Sequence, residues 1–538
     1  MSRRLGIAFI TIAVGLALVV GAGCRKGTPT TCKGWAKLLK SPVKGRDAIK
    51  NLGDLRCKES IPDLEGIFAT SQYKEDILQS VKVFNAPQES VGLVKKGLAD
   101  PFAATLAAAV AEDFALADFR QPLLDILTGD KALKARENAL KALARIDAKN
   151  LKQNDDLLRK LLRNDPNVQG VAVNALAAKL LGDVKSETAV PDRVVALFMR
   201  TQRGEQLYTP VRKTLAKIGK PAVAPMVAVL TGAPEGEPIR KELADMSKKL
   251  GLFDWQWQEG PEIIQVLGDL RDPSAAPAVA ASLAKTLNPP VGVDDRVLRT
   301  WQVAQQNRIT MCMMSLWNLG TAAVVDALKE VVVNPDNDAK QRLDTASALA
   351  MMQDFVGMGA LMAIYSKTTD PRFRAPLVKP ISLGVDWAHV DEFLRMVGAE
   401  KDELVRSRVT GDDPDAKEFK ALIGVVKDCK QGDVPCLVQR LKGPDLMAAE
   451  KAAILLAASK GEAAKQALAA LIETYPATDP VTGVDLRRFI LLAIWRLGDP
   501  STVKDLEKML QSDRDRKGAG YWIDELETFI PVLSSRSI

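Results

Sequence analysis

The chain has 538 residues, of which 47% are hydrophobic and only 5% aromatic, and it carries a formal charge of +7. Alanine and leucine dominate the apolar fraction, as helix packing favours, and the length exceeds what one ordinary core organises. A charge so dilute, with no basic run interleaved with aromatics, argues against a nucleic-acid partner.

The first residues read MSRRLGIAFITIAVGLALVVGAGCRKG. Arg3 and Arg4 form a basic start, Ile7 to Val20 is apolar, and Gly21-Ala22-Gly23 supplies small residues before Cys24. This is an export signal over residues 1–23. A cysteine directly after small residues resembles the bacterial lipoprotein signal, with Gly21 where leucine is usual. The resemblance implies cleavage before Cys24, a diacylglyceryl group on its sulfur and a membrane anchor. Arg25 in place of aspartate after Cys24 then favours the outer membrane, facing the periplasm. An uncleaved anchor, or an ordinary cleaved signal that happens to precede cysteine, are the other readings; the apolar run is short for a membrane span. Residues 24–31 form a polar tether.

From Cys32 to the end the chain is organised by one recurring frame. With an apolar residue at position zero, apolar residues recur at plus three, plus nine and plus twelve, often with proline at plus ten. Leu52 opens the first frame, with Leu55, Ile61, Pro62 and Leu64. Alanine-rich helical segments at Ala103 to Ala111 and Lys131 to Ile146 follow. Leu181 gives Val184, Val190 and Pro191, but Arg193 at plus twelve; Leu215 gives Ile218, Ala224, Pro225 and Val227. TGAPEGEP (231–238) and NPPVGVDD (288–295) read as inserted loops, because Gly and Pro break regular structure. Between them lies the cleanest unit, PEIIQVLGDLRDPSAAPAVAASLAKTL, with Leu267 at zero, Leu270, Ala276, Pro277 and Val279. Asp272-Pro273 stops its first helix, since proline lacks an N–H and clashes with a continuing turn. Leu316, Leu349, Val425 and Ile494 open the remaining frames, the third with Asp428 at plus three. NPDND (334–338) and GDDPD (411–415) read as solvated acidic turns; the second lacks the spacing and glycine of an EF-hand. Residues 521–533 read as a last helix pair or cap.

Such a unit leaves apolar faces that only a similar neighbour can cover. The pattern resembles the HEAT-repeat family and its bacterial short-repeat relatives, most directly at Leu497-Gly498-Asp499-Pro500 and Ala224-Pro225. The resemblance implies an all-α, right-handed α-α superhelix of antiparallel helix pairs over residues 32–538, with unequal intervals marking insertions. It is nearly silent on function.

Signals for chemistry are sparse. The one histidine, His389, excludes an HExxH zinc site, and no nucleophile elbow, P-loop or dinucleotide fingerprint is present. Ser41-x-x-Lys44 and Ser282-x-x-Lys285 lack the companion motifs of penicillin-recognising enzymes. No catalytic residue, cofactor or metal site is therefore expected. Trp255 and Trp257, in LFDWQWQEG, are candidate interface anchors or plugs in an irregular repeat. Trp301, Trp317, Trp387 and Trp495 fall in helical patterns.

If Cys24 carries lipid, five cysteines remain. Cys429 and Cys436 fall at plus four and plus eleven of their frame, where the chain reverses and two Cα atoms can approach to roughly 4.4–6.8 Å. Cys32 and Cys57, in the first helix and the turn of the first frame, form the next pair, leaving Cys312 as a buried thiol. The reading is a lipid-anchored scaffold in the bacterial envelope that binds a protein or peptide, with an enzyme or an enzyme's regulatory subunit as the alternative.

Overall fold

The computed structural model describes residues 29–536 except 130–131, 154, 252, 254, 259 and 286. The signal segment 1–23, Cys24 and residues 25–28 lie outside the described residues. The described elements are helices, and the single β contact is an isolated antiparallel bridge between Arg200 and Gln206.

All eight frames are helix pairs. The residue at zero always lies in the first helix and is no more than 1% exposed: Leu52, Leu181, Leu215, Leu267, Leu316, Leu349, Val425 and Ile494. The second helix starts near plus nine, as in Pro261–Leu270 followed by Ala276–Ala284 and Val484–Leu497 followed by Val503–Arg514. Two local devices make the turn. At plus four, Arg56, Lys185, Gly219 and Arg271 adopt positive φ, which ends the first helix in a left-handed residue. In the Asp-Pro turns, the carboxylates of Asp272 and Asp499 accept from the backbone N–H groups of Ser274 (2.9 Å) and Ser501 (2.7 Å).

The frames also depart from the pattern in identifiable ways. Leu55, at the C-cap of Gly45–Asp54, is 47% exposed. Arg193 occupies its core position fully buried, with Nη1 donating to the carbonyl of Ser186 at 2.7 Å. In the Leu215 frame the buried residues are Val223 and Met226, one earlier than the frame predicts, because the short turn Lys220–Ala222 leads directly into Val223–Thr231. TGAPEGEP is not a free loop: it leads into a full inserted helix, Glu237–Leu250, with Pro238 in its first turn. Further pairs fill the long intervals, among them Lys74–Phe84 with Val91–Ala99 and Leu446–Leu456 with Glu462–Ala477.

Contacts divide the chain after Pro122 into two compact units. In the N-terminal unit, Gly45–Asp54, Lys74–Phe84 and Ala104–Phe114 pack successively as first helices, and Ile61–Phe68 packs on Val91–Ala99 as second helices. Cys32 and Cys57 are bridged there, with Cα atoms 5.5 Å apart. In the unit Leu123–Ile538, first helices stack in sequence from Asp156–Arg163 through Tyr208–Ile218, Pro261–Leu270, Asp295–Leu319 and Ala339–Ala350 to Val484–Leu497. This is a HEAT-like α-solenoid. Cys429 and Cys436 are bridged in it, also with Cα atoms 5.5 Å apart, tying the end of Pro414–Asp428 to Val434–Leu441. Cys312 is buried and free, and burial pushes its thiol up to about 11.

Candidate functional site

Two regions of the larger unit concentrate polar chemistry. The first is a junction. The C-terminal helix Gly520–Ser534 packs not only on Val503–Arg514 but also on Tyr208–Ile218 and Pro261–Leu270, so the row of first helices returns onto itself. Arg212 donates to both oxygens of Asp269 (2.6 and 2.8 Å) and to Glu525 (2.7 Å). Lys213 pairs with Asp524 and Glu527, each at 2.6 Å. Arg271 lies 4.5 Å from the Phe529 ring centroid and 4.9 Å from that of Trp495, while Arg536 approaches Trp495 at 4.6 Å. Arg496 donates to the carbonyls of Trp317 (3.1 Å) and Met351 (2.5 Å). Burial pushes Arg271 down to about 9 and Arg496 to about 10. These charges face the protein's own carboxylates, carbonyls and rings, although Nη1 of Arg271 is buried with no hydrogen-bond partner among the described residues, so the junction holds the stack closed.

The second region surrounds the inserted helix Glu237–Leu250. Its buried residues, Ile239, Leu243 and Ser247, form one narrow stripe at i, i+4 and i+8. An opening of about 860 Å³ runs along one flank, between this helix, the end of Asp156–Arg163 and the tight loop 200–206. That loop is shaped by the Arg200–Gln206 bridge, Gly204 at φ 85° and an N–H···O bond from Thr201 to Glu205 at 2.8 Å. Asn167 fixes its position, accepting from the N–H of Gln202 at 2.8 Å. Val195, Met199, Met246 and Leu250 supply apolar wall, and Arg200, Lys241 and Lys249 line the polar side. Arg163 is held by Asp192 at 2.9 Å and by contact with Glu242. A second opening of about 480 Å³ lies between this helix, Val223–Thr231 and the residues around Trp257, and Lys241 lines it too. The volumes fall in the range of ligand clefts.

The sequence candidates distribute as follows. Trp257 is 5% exposed and so is not an exposed anchor; its indole N–H is buried with no hydrogen-bond partner among the described residues, and the residue lines the second opening. Trp255 falls in the same short helix, Trp255–Gln258. His389 stands 2.5 Å from Asp386, at the start of Val390–Gly398. Ser41 Oγ accepts from the N–H of Lys44 at 3.2 Å, a local turn. Among the described residues the one grouping with metal-ligand composition is Cys32, Cys57 and Glu59, and its two cysteines are joined in a disulfide. No described helix is long and apolar enough to cross a membrane.

Sequence reading missed the inserted helix because its glycine- and proline-rich start reads as a breaker. The signal that finds it is the helix-forming run EPIRKELADMSKKL, with Ile239, Leu243 and Met246 at helical spacing. It also missed the junction, whose partners lie up to 314 residues apart.

No family model matches the chain, and no curated protein does. Solved structures do. The chain is similar to one described as the Kap95:Nup1 complex, at 12% identity and a TM-score of 0.34, covering 94% of this chain and 77% of that one. It is similar to importin beta crystallised in an ammonium sulfate condition, at 14% identity and a TM-score of 0.32, covering 94% and 69%. It is similar to Kap121p at 11% identity and a TM-score of 0.25, covering 92% and 74%.

Proposed function

We propose that this chain is an exported, lipid-anchored scaffold that binds a protein partner through the opening beside its inserted helix. The observation that carries the reading is the opening of about 860 Å³ between Glu237–Leu250 and the loop 200–206, a concavity of ligand-cleft size on the larger unit. Stacked helix pairs present such surfaces rigidly, and an insertion that leaves its flanks uncovered creates a place for a second chain.

The address rests on the signal-like N-terminal residues and Cys24. The bridged pairs Cys32–Cys57 and Cys429–Cys436 suit an oxidising compartment. Under this reading the diacylglyceryl group on Cys24 tethers the solenoid to the outer membrane on its periplasmic side.

The test is site-specific photocrosslinking in the native host. A benzoylphenylalanine at Gln202, on the rim of the opening, is expected to capture a discrete polypeptide that the same probe at exposed Lys417 does not. Equal capture from both sites, or none from Gln202, overturns the reading. Mass spectrometry of the mature N-terminus is expected to show an acylated Cys24; an intact Met1 refutes the anchor.

A further inference from the structure

We propose that the inserted helix Glu237–Leu250 is a recognition element for an acidic polypeptide segment carrying apolar side chains. The inference rests on the scaffold reading and names the chemistry of the partner.

Three observations converge on it. First, the helix is flanked by openings on two sides, about 860 and 480 Å³, and Lys241 lines both. A helix inserted to fill a gap would bury more than the single stripe Ile239, Leu243 and Ser247.

Second, the charges left over are mostly positive. Glu237 is neutralised by Arg240 at 2.6 Å, Glu242 by Arg163, and Asp165 accepts from the N–H and side-chain amide of Asn167 at 2.8 and 2.9 Å. Arg200, Lys241 and Lys249 in the larger opening and Lys285 in the smaller one have no ion pair among the described residues, against Asp165 and Asp245 as carboxylates without one. Four cations against two anions across the two clefts favour a ligand with several carboxylates.

Third, the walls offer more than charge. Val195, Met199, Met246 and Leu250 line the larger opening, and methionine adapts its shape to varied apolar partners. Trp257, almost fully buried, forms part of the wall of the smaller opening. Apolar wall and unpaired cations together specify a peptide rather than a lone anion.

The experiment uses the full chain in detergent and two fluorescein-labelled twelve-residue peptides, one alternating Glu and Leu, the other Lys and Leu. Fluorescence anisotropy is expected to show saturable binding of the acidic peptide that weakens as salt rises. Lys241→Glu with Lys249→Glu is expected to weaken it by at least about tenfold. Lys417→Glu, on an exposed position away from the clefts, changes nothing. Thermal melting shows that each variant is folded, and Ala244→Trp, which fills the smaller opening, supplies a second loss of binding by steric means. Equal binding of the basic peptide, no saturable binding of the acidic one, or wild-type affinity in the folded double variant overturns the inference. Crosslinking of a partner from Gln202 in that same double variant leaves the scaffold reading standing and removes only the acidic chemistry.

Discussion

Two helices of equal length in the larger unit show what the stack does with its residues. Val484–Leu497 and Glu237–Leu250 each have 14 residues. The first buries eight side chains, including the guanidinium of Arg487; the second buries three. Val484–Leu497 sits in the row of first helices, with Leu446–Leu456 on one side and Glu462–Ala477 on another. Glu237–Leu250 is an insertion that touches neighbours along one edge. In the first, charges are paired, stacked on aromatics or bonded to main-chain carbonyls; beside the second, cations have no ion pair among the described residues. Sealed packing provides stability and open packing provides a surface, and the solenoid separates the two tasks by placing the opening on an element its repeat does not need.

The largest effect is expected from Asp513→Ala. Asp513 and Arg487 are fully buried, joined by bonds of 2.9 and 3.0 Å, with Tyr475 donating to the same carboxylate at 3.1 Å. Removing the carboxylate strands a buried cation, and denaturant unfolding is expected to report a loss of about 3–5 kcal/mol. The double variant Arg487→Met, Asp513→Leu recovers most of it; an unchanged midpoint in the single variant contradicts the account.

Next is Phe529→Ala at the junction. The ring is buried against Trp495, with centroids 6.1 Å apart, and under Arg271. Its removal is expected to cost about 3 kcal/mol and to expose the C-terminal helix to limited proteolysis. Protection equal to wild type shows that the junction does not depend on this contact.

The effect of pH is a third way to sharpen the comparison. Burial raises Glu262 and Glu450 to about 7 and lowers Lys451 to about 7. Between the ordinary carboxylate value and pH 7 the folded state holds protons that the unfolded chain releases, so these two acids make stability fall as pH rises through that window. Between pH 7 and the ordinary lysine value the unfolded chain holds the proton, so Lys451 makes stability rise with pH. Its ammonium faces the carbonyls of Ser382 (3.1 Å), Leu383 (2.8 Å) and Val385 (2.5 Å), which oppose the loss of charge without reversing the effect of burial. Melting scans are expected to show the falling limb flattened in Glu262→Gln and Glu450→Gln and the rising limb flattened in Lys451→Met.

The smallest effect is expected from Met246→Ala. Its side chain borders an opening already accessible to solvent, so truncation creates no new cavity and costs less than about 1 kcal/mol. Hydrogen exchange checks the same contrast without mutation: amides of Glu237–Leu250 are expected to exchange before those of Val484–Leu497. The reverse order removes the basis for treating the inserted helix as loosely held.

The sequence by itself determined the repeat. Position zero is buried in all eight frames because a helix of period 3.6 and a turn made by one left-handed residue or an Asp-Pro step are local events, encoded within about a dozen residues. The cysteine pair 429–436, seven residues apart across one turn, was legible for the same reason; the pair 32–57, 25 residues apart, followed from placing Cys32 in the first helix and Cys57 in the turn of the first frame. Only the tertiary structure decided the rest. That Arg193 fills a core position by reaching the carbonyl of Ser186, that Arg212 meets Asp269 and Glu525, and that the C-terminal helix closes on Tyr208–Ile218 depend on the summed geometry of many stacked pairs. Small rotations between repeats accumulate along a solenoid, and no local pattern records where their sum brings two distant helices together. The unpaired state of Lys241 and Lys249 is decided the same way: charge is written in the sequence, but whether a partner lies within reach is set by packing.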